Sequence, residues 1–508
     1  MGKGLRGFPA TFWVANVMEL FERGAYYGLM SVLAIYLTEK TAKGGLGFAE
    51  DAVGFMQAIV YALVYIIPIL GGALAEKFGY RRMLIAAFSI LTFGYFASGS
   101  FSTYGLVFAS LCVMAVGAGL FKPIISGTIA RTTSKENSGL GFGIYYWMIN
   151  LGAFISPIIV SIIKGFSWKY VFIASSLWCF LMLLPAVFIY KDPKLPGKSL
   201  SLRETTINTL TVLRDSRFML MIFIYSFFWI LYFQNFGTIL WYLRDFIDKA
   251  PVNAFMTKMF SSMGLHINFV FSEEYVTTIN AGVIILLQVF VSRIVKNKPA
   301  IPVMCSGMVI GSLGFLILAL TTSPWFFIIG IMVFTIGEMT AHPKYYSYIG
   351  IVAPEDKKAI YMGYAFLYGV IGSLFGSSFG AYLYVKLAKP GYTKLFFLNS
   401  FGVNLYVKLA KPGNMKLFFL LLTMLCIIGS IGLILFNKFL AADTPENNLR
   451  SKKIVTAVYA ALVIAGTVII ATHFPPGKQD YRLLANSVIL LIVGLAGLFI
   501  TLRKEIQE

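Results

Sequence analysis

Apolar runs of about twenty residues recur along the whole 508-residue chain, parted by short polar loops. A helix of that length crosses a hydrocarbon core roughly 30 Å thick. The pattern predicts helices near 10–38, 53–75, 82–100, 104–128, 142–163, 168–190, 216–244, 274–296, 300–320, 325–352, 359–385, 416–437, 454–472 and 483–502. The longest polar stretch among the early helices, 191–217, follows the sixth and divides the first twelve into two sets of six. The chain therefore reads as an all-α polytopic membrane protein with about 14 transmembrane helices. Its expected parts are a six-helix bundle (1–190), a linker (191–217), a second six-helix bundle (218–438) and an extra hairpin with a tail (439–508). The first apolar segment is too long for a cleavable signal peptide and runs into the polytopic pattern.

Composition agrees: 58% of the residues are hydrophobic and 13% charged, more apolar surface than a soluble core of this size could hide. The net charge of +20 does not point to nucleic acid. "EKFGYRR" (76–82), "ARTTSKENSG" (130–139), 191–217, "SRIVKNKPA" (292–300), "APEDKK" (353–358) and "LRSKK" (449–453) fall on one side of the membrane, whereas "GSFSTYG" and "TTSPW" on the other are uncharged. By the positive-inside rule both termini are expected in the cytoplasm. Cys112, Cys179, Cys305 and Cys426 lie singly in apolar segments without metal or redox spacing, which leaves core packing. With three histidines in all, no metal site is expected.

One loop departs from this order. "LYVKLAKPGYTKLFFL" (383–398) returns as "LYVKLAKPGNMKLFFL" (405–420), a tandem copy with a period of 22. It places lysines where an outer loop should be neutral. The period and copy number are too small for a solenoid. A local duplication without a function is one reading and a basic outer surface the other. Residues 248–273 read as a longer polar and amphipathic outer connection.

The chemistry concentrates on the first helix. "MELFERGAYYGLM" (18–30) carries Glu19, Glu22 and Arg23 inside an apolar run, where each charge costs about 2.5–3.5 kcal/mol on insertion scales. Glu19 and Arg23 stand one turn apart, as do Glu22 and Tyr26, so helical spacing makes them neighbours. A carboxylate beside arginine stays ionised, and one that loses its partner in a dry site takes a proton more readily. The spacing fits a proton switch. It also fits a salt bridge that only locks helices together. Further along, Lys122 is the sole charge of the fourth helix, Asn150 sits on the fifth, Asn280 on the eighth, and Glu338 on the tenth with His342 four residues on. For the asparagines an interhelical hydrogen bond is the plain alternative. Lys122 and Glu338 need partners or a water-filled cavity. His342 reads as a satisfied polar residue near a helix end rather than a proton relay. No nucleophile–base arrangement, metal-ligand spacing or phosphate loop is present, so an enzyme is not expected.

Together these stretches resemble the proton-coupled oligopeptide transporter family (PTR2/POT) of the major facilitator superfamily. "ELFERGAYYG" is similar to the family's ExxERFxYYG, with Gly24 in place of phenylalanine. "GGALAEKFGYRR" (71–82) is similar to the superfamily's signature between helices two and three, with Glu76 where Asp is usual. "FGIYYWMINLGAF" (142–154) fits the helix-five signature, and "GEMTAHP" resembles the helix-ten GE…SP stretch, with weaker matches at "GLFKP" and "TTIN". The resemblance spans roughly 10–437, apart from the duplicated loop; the last two helices lie outside it and read as a peripheral hairpin.

It implies the major facilitator fold, two six-helix bundles plus the extra pair, and proton-coupled symport of di- and tripeptides by alternating access, with protons as the coupling ion and no cofactor. Glu19, Glu22, Arg23 and Lys122 would form the coupling cluster, Lys122 pairing with a helix-one carboxylate. Tyr26, Tyr27, Lys122, Asn150, Asn280 and Glu338 would line the substrate cavity, cations meeting the peptide carboxylate and Glu338 the ammonium. The implied setting is a bacterial inner or plasma membrane, with a functional monomer in the lipid bilayer. Two places depart from the family. Met30 stands where an arginine often follows the helix-one motif, and Phe233 and Gln234 stand where its acidic partner falls. Both halves of an outer-gate ion pair are absent, so the outer side is expected to close with apolar or amide contacts. The same-fold alternative substrate is a modified amino acid, nitrate or another small anion. A receptor or scaffold would need no charges on several facing helices.

Overall fold

The computed structural model describes residues 7–134, 136–193, 212–354, 358–388, 391–394, 406–409, 414–473 and 481–502. Six helices form the first half: α1 (Ala10–Thr38), α2 (Glu50–Phe78), α3 (Tyr80–Ser98), α4 (Tyr104–Thr132), α5 (Ser138–Ile163) and α6 (Trp168–Phe188). Most of the 191–217 linker lies outside the described residues. The second half holds α7 (Ser216–Tyr232), α8 (Thr238–Phe246), α9 (Ala250–Ser262), α10 (Tyr275–Val295), α11 (Ala300–Leu320) and α12 (Pro324–Val352). It continues with α13 (Lys358–Tyr364), α14 (Leu367–Ser373), a π-helical turn (Leu374–Phe379), α15 (Gly380–Ala388) and α16 (Met415–Phe439). The hairpin α17 (Pro445–His473) and α18 (Tyr481–Leu502) follows.

Among the described residues, eleven helices are long and apolar enough to cross a membrane. Three of the expected fourteen are not among the eleven: α1, with its three buried charges, α3, which opens on Arg81 and Arg82, and α18, counted only as the shorter apolar helix Asn486–Leu502. The seventh expected helix, 216–244, is broken. After Tyr232 the backbone tightens into a 3₁₀ turn (Phe233–Phe236), and Gly237 (φ −146°, ψ −92°) turns it into α8. The 248–273 connection contains a helix of its own, α9, begun by Pro251 in its first turn. The eleventh is divided by the π turn.

Close backbone approach fixes the crossings that carry the charged residues. A Cβ at Gly152 of α5 would lie 2.7 Å from the Leu20 carbonyl oxygen, which brings α1 against α5. Gly307 and Gly311 of α11 meet Gly337 of α12 in the same way, and this positions Glu338. Gly79 (φ +90°) makes the one-residue turn between α2 and α3, a conformation that glycine permits. Beside it Arg131 pairs with Glu76 at 2.9 Å, and the Arg81 backbone N–H donates to Asp192 at 2.6 Å. The glycines and charges of "GGALAEKFGYRR" thus build one turn.

The four cysteines are free; Cys179, Cys305 and Cys426 are buried and Cys112 half-buried, as core packing requires. The duplicated segment takes different forms in its two copies. "YVKL" is the end of α15 at 384–387 but strand Tyr406–Leu409 in the second copy, paired antiparallel with Gly391–Lys394. "MKLFF" of the second copy opens α16, capped by the Asn414 side chain on Leu417 N–H. The remainder of the repeat lies outside the described residues.

Candidate functional site

Helical spacing on α1 brings the three charges to one face, and the crossing with α5 seals them. Glu19, Glu22 and Arg23 are 2%, 0% and 4% exposed. Arg23 Nε donates to Glu22 Oε2 at 2.5 Å and lies 3.4 Å from Glu19 Oε1. Each carboxylate is left with one buried oxygen, Glu19 Oε2 and Glu22 Oε1, that accepts nothing among the described residues. Ions persist in so dry a place only when paired, and one guanidinium here serves two carboxylates.

Arg23 also faces the rings of Tyr26 (5.2 Å) and Tyr27 (6.0 Å). Lys122 forms no ion pair with Glu19 or Glu22 among the described residues. Its Nζ lies 4.5 Å from the centroid of the Tyr65 ring on α2, so the pairing implied by the resemblance is replaced by a cation–π contact. Asn150 turns back on its own helix, Nδ2 donating to the Tyr146 carbonyl at 2.9 Å. Asn280 bridges helices, Nδ2 donating to Thr335 Oγ1 (2.9 Å) and Glu338 Oε2 (3.0 Å). The two asparagines divide between local and interhelical bonding.

A cluster of rings that no motif announced runs from Tyr65, beside Lys122, to His342, one turn beyond Glu338. Tyr65 meets Trp229 (6.4 Å) and Tyr368 (6.0 Å) across the two halves. Tyr346 and Tyr368 bring their hydroxyls to 3.4 Å. His342 lies edge-on to Trp229 (5.0 Å) and Tyr346 (5.1 Å), with Nδ1 3.4 Å from the Tyr225 hydroxyl. The signal available in the sequence was only a richness in rings, 16% of residues, and that does not say which of them converge.

The halves close on each other where α1 ends and α2 begins. Gln57 Nε2 donates to the Phe236 carbonyl at 2.7 Å, and Trp241 Nε1 to the Ala34 carbonyl at 3.2 Å. Gly54 of α2 lets Ala381 and the Ser377 carbonyl approach. Ions join the same end: Lys164 pairs with Glu274 at 2.6 Å, Lys249 with Glu273 at 2.7 Å, and Arg244 with Glu50 at 3.5 Å while donating to Thr38 Oγ1 at 2.9 Å. Apolar, amide and ionic contacts thus meet at one end. Met30 is buried and Phe233 stacks on Tyr61 (5.2 Å), but Gln234 turns inward to the Ile230 and Gly376 carbonyls. At this end ion pairs join the apolar and amide contacts, from Lys164 just after α5, Glu50 of α2, Arg244 of α8 and Glu274 just before α10.

The model of the Major Facilitator Superfamily matches residues 13–377. Curated relatives include an uncharacterized transporter, YclF, of Bacillus subtilis (34% identical; 31% of this chain, 33% of the relative) and the dipeptide and tripeptide permease B of Aliivibrio fischeri (34% identical; 36% of each). The chain thus spans about a third of the length of the curated relatives it matches. Among solved structures, a POT family transporter in complex with 5-aminolevulinic acid superposes with a TM-score of 0.69 at 20% identity, over 86% of this chain and 98% of that one. Another, an auto-inhibited POT family peptide transporter, gives 0.64 at 15%, over 85% and 97%. At such identities the structures speak for the fold, which is the one the motifs implied.

Proposed function

As the chain belongs to the Major Facilitator Superfamily, and so is an integral membrane transporter, we propose that it is a proton-coupled symporter of di- and tripeptides working by alternating access. The observation that carries this reading is the division of opposite charges between the two halves, linked by one cluster of rings: Arg23 and Lys122 in the first half, Glu338 held by Asn280 in the second. A short peptide is a zwitterion, and separated cationic and anionic groups suit its two ends. The similarity to dipeptide and tripeptide permeases supports the same substrate.

In this reading Tyr26, Tyr27, Lys122, Asn150, Asn280 and Glu338 contact substrate. Glu19, Glu22, Arg23 and Lys122 couple it to protons. A proton entering at the unbonded oxygen of Glu22 or Glu19 weakens the hold of Arg23, freeing the guanidinium and letting the bundles rock around a midplane site. The membrane potential favours that entry by about 2.3 kcal/mol per charge per 100 mV. With the termini cytoplasmic in a bacterial inner membrane, the end closed by Lys164 and Glu274 is the outer one. The protein functions as a monomer whose bundles are 1–190 and 218–438. A second reading, another small zwitterion or anion such as a modified amino acid or nitrate, draws on Met30 and Gln234, which depart from the family's outer gate. Dialanine binding tests the choice: it should raise the thermal midpoint of the wild type and not of Glu338→Gln, and no shift in either would favour the second reading.

A further inference from the structure

We propose that His342 selects the substrate's side chain, favouring an uncharged hydrogen-bond acceptor such as glutamine or asparagine. The inference rests on the peptide reading above. His342 stands one turn beyond Glu338 on α12, and a turn of helix keeps two side chains on one face. Its ring is held by Trp229, Tyr346 and Tyr368. Tyr225 closes the Nδ1 side from a fully buried position. With the Tyr225 hydroxyl taken as donor to Nδ1, the tautomer this proposal assigns carries its proton on Nε2. His342 is half-buried, and Nε2 takes part in no hydrogen bond among the described residues. A rigid donor beside the group that takes the peptide's ammonium reaches what lies next to that ammonium, the first side chain. Glu338 makes the place unfavourable for an acidic one.

The test is competition for uptake of labelled dialanine by Gln-Ala against Leu-Ala. The wild type should favour Gln-Ala by about fivefold to tenfold, one hydrogen bond's worth. His342→Phe should abolish the preference, and His342→Gln, whose amide N–H reaches about as far as Nε2, should keep most of it. A wild type without preference, or a preference surviving in His342→Phe, would overturn the proposal while the peptide reading stood. No dialanine uptake by the wild type would overturn both.

A separate observation concerns the hairpin α17–α18, which we infer to be a clasp holding the α2 seam shut. It is not a loose appendage. α17 packs on α7, α18 touches α2, and the two helices cross tightly at Gly466, Gly494 and Gly497. The hairpin therefore contacts both halves. Ser378, in the π turn, donates to Asn486 Oδ1 of α18 at 2.6 Å. The same turn receives Gln234 Nε2 on the Gly376 carbonyl and presents the Ser377 carbonyl to Gly54 of α2. π turns are frequent at functional sites, and in this proposal the bond to α18 holds the turn where it packs on α2, which biases the protein toward closure. Spin labels at Ala49 and Lys386 would report the seam. Asn486→Ala and Ser378→Ala, which remove the same bond from either side, should each raise the long-distance population at least twofold. Unchanged distances in both would overturn the clasp.

Discussion

Lys122 holds its ammonium 4.5 Å from the centroid of the Tyr65 ring, while the two carboxylates of α1 share Arg23. The cation of the fourth helix is thus left facing the interior between the halves. In the proposed transport reading it meets the carboxylate of the peptide.

If Lys122 receives the peptide carboxylate, Lys122→Ala removes a charge-assisted hydrogen bond of about 1.5–3 kcal/mol. The KM for dialanine should rise more than tenfold. Tyr65→Leu keeps an apolar side chain against Trp229 and Tyr368 but removes the ring beneath the ammonium, about 0.5–1 kcal/mol, and should raise KM by twofold to fivefold. Initial uptake rates against dialanine concentration check the order of the two effects.

Glu22→Gln keeps the shape and hydrogen-bonding reach of the side chain but cannot take and release a proton. Uptake driven by a proton gradient should be abolished, while exchange of internal for external dialanine without a gradient continues. Loss of both would make Glu22 a structural anchor.

The sequence made the helices, the charged face of α1 and the polar groups of α10 and α12 legible, because each is a local matter of apolar run length or helical spacing. Glu338 with Asn280 is the interhelical bond that the isolated polar groups suggested. What remained hidden depends on contacts between distant segments. The closing pairs join Lys164 to Glu274 and Arg244 to Glu50, across 110 and 194 residues. No local pattern in the sequence pairs residues so far apart. The break at Gly237 was masked by an apolar run that continues through it. The cluster of rings was invisible because rings are plentiful throughout.

Gly24 stands where the resembled motif carries phenylalanine, and the structure gives the reason. A Cβ there would lie 2.4 Å from Trp178 of α6, which fills the space. Gly24→Ala should destabilise the protein by about 1–3 kcal/mol through overpacking. Trp178→Leu should recover part of that loss. Thermal melts of the single and double variants in one detergent check it.

Lys164 and Glu274 close one end of the interface, Glu274 with no exposed side-chain surface. Glu274→Lys alone should cost about 3 kcal/mol, because a buried charge loses its partner and faces a like one. Glu274→Lys combined with Lys164→Glu should recover most of it. A double variant no more stable than Glu274→Lys alone would mean that the pair does not hold the halves together.

The central claim is proton-coupled peptide transport. It is tested most directly by uptake of labelled dialanine into proteoliposomes, with and without an inward proton gradient. Accumulation above the external concentration is expected when the gradient is present, and only equilibration when it is absent. Uptake indifferent to the gradient, or none from protein shown to be folded, would contradict it.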